Sequence, residues 1–359
     1  MGIYGGVFLF YALIMAGGKG ERLFPLSREE RPKQFLKLIE NKSFLRMTVE
    51  RIKPLIGENI YVITNKKYIE QIYGELPDLS KENIFTEPLN KETATCLGLS
   101  AVKLLKKDLD ALMISLPSDL YIKDVESLRK QIEIGANYAE ENKVIVTFGI
   151  EPASPETGYG YIKLGEEVVK ENSLFKVERF TEKPKEDTAK EFIRSKRYLW
   201  NSGIFILRAD VLLAEINKHI PKLYDSLMKI YDSLNTEDEQ RVIDEEYNKI
   251  EGISIDYGVM QKTKLAYVIK ARFDWNDIGS FNSLSKYFNL VDNNEIKGKA
   301  FLEECNSCTV MSSDKIIVGF GLKKLIIIDA GDVLLIMDKE KEKDMKKLVE
   351  KIKNGSSFL

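Results

Sequence analysis

The residues best suited to chemistry cluster early in the chain. An apolar run, Ala12-Leu13-Ile14-Met15, gives way to Ala16-Gly17-Gly18-Lys19-Gly20, and Arg22 and Lys33 follow. Glycines let backbone N–H groups turn toward an anion and let a ligand approach where a Cβ would clash. Arginine and lysine add fixed positive charge that suits a polyphosphate. With Lys19, Arg22 and Lys33 on one glycine turn, the pattern points to a nucleoside triphosphate site rather than a bare strand-to-helix turn. Two well-known glycine loops do not match. A P-loop needs Gly-Lys followed by Ser or Thr, and Gly18-Lys19 is followed by Gly20. The dinucleotide fingerprint needs a third glycine, and Leu23 stands in its place.

Carboxylates are the next candidates. Asp119 closes Leu116-Pro117-Ser118-Asp119 at a strand end, where it either holds a metal beside phosphates or serves as a turn or capping aspartate. Asp274 and Asp277 lie in one later loop, and either could join Asp119 on magnesium; capping is the other reading of Asp277. Glu182-Lys183 ends an alternating strand; it can hold sugar hydroxyls and a phosphate, but alone it reads first as a solvated surface pair. Asn201 carries both donor and acceptor and could read hydroxyls, or serve a turn. His219 is the only histidine, which argues against histidine triads and histidine-rich metal sites. Cys305 and Cys308 form a lone C-x-x-C with no second pair, so buried thiols are expected rather than zinc.

These residues need elements to position them. Val7 to Met15 reads as a first, central strand, and short apolar runs at Asn59–Thr64, Asn83–Thr86, Ala111–Leu116 and Val144–Phe148 read as further strands. Helical patterns alternate with them at Phe44–Ile52, Lys67–Gly74, Thr93–Lys106 and Val125–Glu140, which predicts a doubly wound α/β sheet. Ligands bind such sheets beyond the carboxyl ends of the strands, where the glycine loop and Asp119 fall. From Glu151 the texture turns antiparallel, with strands at Phe175–Phe180 and Trp200–Leu207 and Asn201 at the mouth of the latter. Helices are expected from about Ala209 to Leu234 and from Glu237 to Lys249, and a capped turn at Ser254. Short strands then recur at Thr309–Met311, Ile316–Phe320, Leu325–Asp329 and Val333–Met337, before an amphipathic helix at Lys341–Lys353. Their spacing predicts a small β-solenoid-like unit. The domain expectation is 1–290 for a catalytic domain and 291–359 for a C-terminal β unit plus helix, a candidate oligomerisation element.

Composition sets bounds. The chain has 359 residues, 44% hydrophobic and 31% charged, enough for a large core. A formal net charge of −2 gives no basis for a nucleic-acid or anionic-membrane partner. The apolar start is shorter than a membrane span and leads straight into the glycine loop, so neither a cleaved signal nor a span is expected. Three cysteines fit a reducing, cytoplasmic setting.

Taken in order, the motifs carry a resemblance. Gly17-Gly18-Lys19-Gly20-Glu21-Arg22-Leu23, Pro25-Leu26-Ser27-Arg28 and Pro32-Lys33-Gln34-Phe35 resemble the signature of sugar-phosphate nucleotidylyltransferases, in the long form of bacterial mannose-1-phosphate guanylyltransferases. Leu116-Pro117-Ser118-Asp119, Gly158-Tyr159-Gly160-Tyr161-Ile162, Glu182-Lys183-Pro184, Trp200-Asn201-Ser202-Gly203, Ser254-Ile255-Asp256-Tyr257 and Trp275-Asn276-Asp277-Ile278-Gly279-Ser280 follow in the family's order, over about residues 8 to 350.

The resemblance implies a Rossmann-like mixed sheet of the nucleotide-diphospho-sugar transferase type. It implies attack of mannose 1-phosphate on the α-phosphate of GTP with loss of pyrophosphate, assisted by Mg2+. A homodimer is expected separately, from apolar surface on the C-terminal β unit. By that analogy Ala16, Gly17, Gly18, Lys19, Gly20, Glu87, Thr93 and Ser118 bind the nucleotide. Arg22 holds the β- and γ-phosphates and Lys33 the α-phosphate. Asp119 and Asp277 hold magnesium, and Gly160, Glu182, Lys183, Asn201 and Asp256 face the sugar phosphate. The chain departs from the family pattern at Phe24, Leu120, Lys91 and Glu92, where tryptophan, histidine, arginine and asparagine are usual. Glu92 could accept from guanine N1–H and its amino group, or mark another base or sugar. No isomerase domain like that of the bifunctional members is expected. A nucleotidylyltransferase for another sugar or base, and a non-catalytic sugar-nucleotide sensor, are the competing readings.

Overall fold

In the computed structural model the described residues are 10–18 and 20–355, so Lys19 and the 7–9 part of the first expected strand lie outside them. The chain divides into two compact units. The first takes in the segment ending at Gly17, Thr48–Ser118 and Ile122–Trp275; the second takes in Gly18–Met47, Asp119–Tyr121 and the segment from Asn276 onward.

The first unit is built on one nine-stranded sheet. Its strands are β1 (Phe10–Met15), β2 (Ile60–Asn65), β3 (Ile84–Glu87), β4 (Leu112–Pro117), β5 (Ile145–Ile150), β6 (Tyr161–Val169), β7 (Leu174–Thr181), β8 (Tyr198–Arg208) and β9 (Ala266–Lys270). They run in the order β3-β2-β1-β4-β8-β5-β9-β7-β6. The β3-β2-β1-β4 half is parallel, with Ala12 paired to Ile60 and Ile14 to Leu116. Its strands read as unbroken apolar runs because a doubly wound sheet is covered on both faces. Strand β8 runs antiparallel to both β4 and β5, which makes the sheet mixed. Asn201 lies inside β8 rather than before it, near a register shift at Thr147–Gly149.

The helix Glu92–Leu105 is buried along nearly its whole length, and Leu97 and Val102 share one core with Leu13, Ile63, Phe205 and Tyr247. The single long helix expected after Ala209 is two, Ala209–His219 and Pro221–Ser233. Proline has no N–H and clashes with the preceding turn, so Pro221 starts a new helix at its first position.

The second unit contains β10 (Asn289–Val291), β11 (Asn294–Lys297), β12 (Ala300–Glu303), β13 (Thr309–Met311), β14 (Ile317–Phe320), β15 (Leu325–Asp329) and β16 (Leu334–Asp338). Strands β11, β13 and β15 form one parallel ladder, and β12 and β14 another. Alternate strands falling in two parallel ladders is how a chain wound into coils pairs with itself, as the spacing predicted. The C-terminal helix Met345–Gly355 puts Met345 and Val349 into a core with Leu23, Phe24, Phe44 and Phe281. No helix among the described residues is long and apolar enough to cross a membrane.

Candidate active site

Within the first unit, Ala16, Gly17, Glu87 and Ser118 lie at the carboxyl ends of parallel strands and Thr93 in the helix that follows β3. Ala16 donates its N–H to the Ile63 carbonyl at 2.8 Å and accepts from Thr64 Oγ1 at 2.9 Å. Ser118 donates to the Met15 carbonyl at 3.1 Å, so the ends of β1 and β4 are tied together. Glu87 ends β3 beside Gly17, where a Cβ would stand 4.0 Å from its Oε2. Its carboxyl is buried and accepts from Tyr247 Oη at 3.0 Å. Thr93 Oγ1 accepts from the Ile255 N–H at 2.8 Å, which leaves its own proton to donate. Lys91 is spent locally, its ammonium on the Ile250 carbonyl at 2.7 Å. Glu92 adopts a left-handed φ of 65°, a strained conformation for a side-chain-bearing residue.

Burial pushes Glu87 up to about 7, against the pull of the Tyr247 and Cys96 hydrogen bonds. A carboxyl raised in the folded state keeps a proton there that the unfolded chain has released. Its contribution is therefore full below the unfolded value of 4.5 and is lost as pH rises toward 7. We expect the wild-type chain to lose up to about 3 kcal/mol of unfolding free energy between pH 4.5 and 8 through this group. Glu87→Gln, which keeps an acceptor for Tyr247, should flatten that slope in urea titrations. An unchanged slope would show that Glu87 is charged at both ends of the range.

The expected sugar contacts also gather in the first unit. Glu182 meets Lys183 at 2.7 Å, and Asn201 Nδ2 donates to Asp256 Oδ1 at 3.1 Å. Gly160 makes room for them: a Cβ there would stand 2.6 Å from Glu182 Oε2. Burial first, then the Glu182 charge, pushes Asp256 up to about 7, while Lys183 pulls it down. Burial lowers Lys183, but the Glu182 hydrogen bond and charge, with the charges of Asp256 and Tyr257, together outweigh this and leave it raised. The set thus offers a carboxylate, an ammonium, an amide and a carboxyl that titrates near neutrality. Ser254 Oγ accepts from the Tyr257 N–H at 3.3 Å, which caps this turn as expected. Asp274 is occupied differently from a metal ligand. It accepts from the N–H groups of Lys123 at 2.9 Å and Asp124 at 2.7 Å.

Within the second unit, a cavity of about 310 Å³ is lined by Gly20, Arg22, Lys33, Asp119, Gly279 and Lys346, among others. Gly20 has φ 64°, and a Cβ there would stand 2.5 Å from Lys33 Cβ. The last glycine of the cluster is therefore what lets Lys33 pack against the turn. Lys33 is 6% exposed at its side chain, donates to Asp119 Oδ2 at 2.8 Å and also to the Asp277 carbonyl. Arg22 stands 3.7 Å from Asp277 Oδ2, while Asp277 Oδ1 accepts from the Gly279 N–H at 3.1 Å. Gly18 is exposed, with nothing within 4 Å of where a Cβ would sit. Lys19 lies outside the described residues.

A metal here would have to use oxygen donors. Among the described residues no three His, Cys, Asp or Glu side chains cluster to hold an ion by themselves. The carboxylate of Asp119, bonded to Lys33, and that of Asp277, whose backbone carbonyl accepts from Lys33, are donors of the hard kind that magnesium takes one or two at a time, with water and substrate phosphates completing its shell.

Several contacts were not legible from the motifs. Arg28 grips Asp332 with two bonds of 2.6 and 2.7 Å and donates from Nε to the Pro25 carbonyl at 2.9 Å, pinning the loop between Arg22 and Lys33. Glu342 accepts from the N–H groups of Phe281 and Asn282, just after the Asp277 loop. Lys346 comes from a lysine-rich helix in which nothing local distinguishes it.

Residues 11–294 match the family model for nucleotidyl transferase, and residues 302–352 that for a MannoseP isomerase/GMP-like beta-helix domain. The mannose-1-phosphate guanylyltransferase of Salmonella montevideo is 38% identical over 349 residues, 95% of this chain and 73% of that one. The enzyme of that name from Salmonella typhimurium is 37% identical over 96% of this chain and 73% of its own. A Thermus thermophilus crystal structure, of a protein called mannose-1-phosphate geranyltransferase, superposes with a TM-score of 0.86 at 32% identity, covering 96% of this chain and all of that one. Nucleotidyl transferases generally use a divalent metal. With a matched catalytic module, a matched β-helix module and relatives this similar along most of its length, the chain is an enzyme that belongs to the nucleotidyl transferase family, in its mannose-1-phosphate guanylyltransferase group.

Proposed function

We propose that this chain transfers the guanylyl group of GTP to mannose 1-phosphate, giving GDP-mannose and pyrophosphate. An oxygen of the sugar phosphate attacks the α-phosphorus. The bond from that phosphorus to the β,γ-pyrophosphate breaks, and its electron pair leaves with pyrophosphate. The attacking phosphate is already anionic, so no side chain has to become a nucleophile, and the protein contributes orientation and charge. The observation that carries this reading is the convergence of Arg22, Lys33 and Asp119 on one cavity.

In this reading Arg22 holds the β- and γ-phosphates, and Lys33 neutralises the α-phosphate under attack. Asp119 and Asp277 would hold Mg2+, which when bound supplies charge to the triphosphate oxygens. Lys33 holds the two acidic loops together, through the Asp119 carboxylate and the Asp277 carbonyl. Ala16, Gly17, Gly18, Lys19, Gly20, Glu87, Thr93 and Ser118 are assigned to the nucleotide. Gly160, Glu182, Lys183, Asn201 and Asp256 are assigned to mannose 1-phosphate; the mix of donors and acceptors around Asp256 suits hydroxyl recognition.

Pyrophosphate release across a matrix of nucleoside triphosphates and sugar 1-phosphates tests the reading. Release should be fastest with GTP and mannose 1-phosphate. Faster release with another pair would reassign the substrates, and none with any pair would leave a sensor.

We assign residues 1–290 to catalysis and 291–359 to assembly as a homodimer, in the cytoplasm. Three free thiols support a reducing compartment. The β12–β14 pair supports the dimer, because Phe301 is 61%, Val318 72% and Phe320 68% exposed on one apolar surface. Phe301→Glu combined with Val318→Glu should shift the light-scattering mass from dimer to monomer without lowering the melting temperature. A variant that remains dimeric would move the interface elsewhere.

A further inference from the structure

The cavity that holds Arg22 and Lys33 has another cation, Lys346 of the C-terminal helix Met345–Gly355. Two other lysines of this helix are committed, Lys347 to Asp344 at 3.0 Å and Lys353 to Glu21 at 2.7 Å, and Lys351 does not line the cavity. Lys346 makes no ion pair among the described residues. The acids near it are already engaged. Asp119 is bonded to Lys33 at 2.8 Å, and Glu21, which also lines the cavity, is held by Lys353. An unpaired ammonium lining a cavity with two further cations raises the local positive potential. That mutual repulsion is relieved when an anion enters the cavity. Lys346 is exposed, so its ammonium is free to meet an anion that enters the cavity.

We infer that Lys346 binds the β- and γ-phosphates of the nucleoside triphosphate and holds the departing pyrophosphate beside Arg22. The inference rests on the guanylyl-transfer reading and extends it, since it makes the helix that follows the β unit part of the phosphate site. Lys346 then acts on the leaving group, apart from the α-phosphate assigned to Lys33.

The test compares Lys346→Gln and Lys346→Arg with the wild-type chain. Magnesium pyrophosphate is titrated calorimetrically, and KM is measured for GTP and for mannose 1-phosphate. Lys346→Gln should weaken pyrophosphate binding about tenfold and raise the KM for GTP similarly, as loss of one charge-assisted hydrogen bond would. The KM for mannose 1-phosphate and the melting temperature should stay as in the wild type, and Lys346→Arg should restore most of the affinity. Unchanged pyrophosphate affinity in Lys346→Gln overturns the inference. So does a loss that arginine fails to restore and that tracks a lower melting temperature. An active wild type with an indifferent Lys346→Gln sinks this inference alone. An inactive wild type sinks the reaction, and the pyrophosphate titration still decides whether Lys346 binds the anion.

Discussion

Replacing Lys33 by alanine is expected to lower kcat by about 10²–10³-fold, the usual cost of removing one preorganised donor from developing charge. The dissociation constant of GTP should change by less than about tenfold. The asymmetry follows from placement. Lys33 is nearly buried, sits 5.6 Å from the Phe44 ring centroid and is held by Asp119 and the Asp277 carbonyl. A cation fixed in this way adds little to ground-state binding that Arg22 does not already supply, but it needs no reorganisation when charge builds on the α-phosphate. Single-turnover rates and equilibrium GTP titrations separate the two quantities. Turnover near the wild-type rate would remove Lys33 from the reaction. A parallel collapse in melting temperature would mean that its role is to hold the two acidic loops.

Asp277→Asn should raise the magnesium concentration for half-maximal rate by roughly 10–100-fold, because even outer-shell changes at metal sites cost that much. The substitution is conservative in shape. The carbonyl that accepts from Lys33 belongs to the backbone and remains, and asparagine Oδ1 can still accept from the Gly279 N–H. What disappears is the negative charge beside Arg22, 3.7 Å from its guanidinium. If the rate depended only on loop shape, the magnesium titrations of variant and wild type would overlay, and Asp277 would then not be a metal ligand.

Much of this site was legible along the chain because its parts are local signals. A glycine cluster after an apolar strand marks a loop at a carboxyl end, and Gly17 and Gly20 lie where that reading places them. Alternating strands and helices marked the parallel half of the sheet for the same reason, since buried strands between helices leave continuous apolar runs. The misplacements have equally local causes. Asn201 reads as a strand-opening residue because its neighbours Ser202 and Gly203 look like a turn, yet cross-strand pairing carries β8 through them. Strands β10 to β12 carry little sequence signal because they are three or four residues long; β10 and β12 expose apolar side chains, and β11 has a single apolar residue, Ile296. Asp274 and Asp277 could not be ranked from spacing. The fold separates their surroundings: Asp274 bonds the Lys123–Asp124 backbone, and Asp277 lies beside Arg22 and the Gly279 N–H.

The sequence by itself determined the inventory of this site: the glycine loop, Arg22, Lys33, the strand-end aspartates and an ordered set of motifs that ties them to one kind of transfer. Tertiary structure decided which charges meet. Lys33 and Asp119 are separated by 86 residues, Glu87 and Tyr247 by 160, and Lys346 reaches a cavity whose other cations lie near the start of the chain. Residue type and periodicity are read over a turn or a strand and report which way a side chain faces its own element. Partners brought together across such separations depend on how whole elements close on one another, and no short window of sequence carries that information.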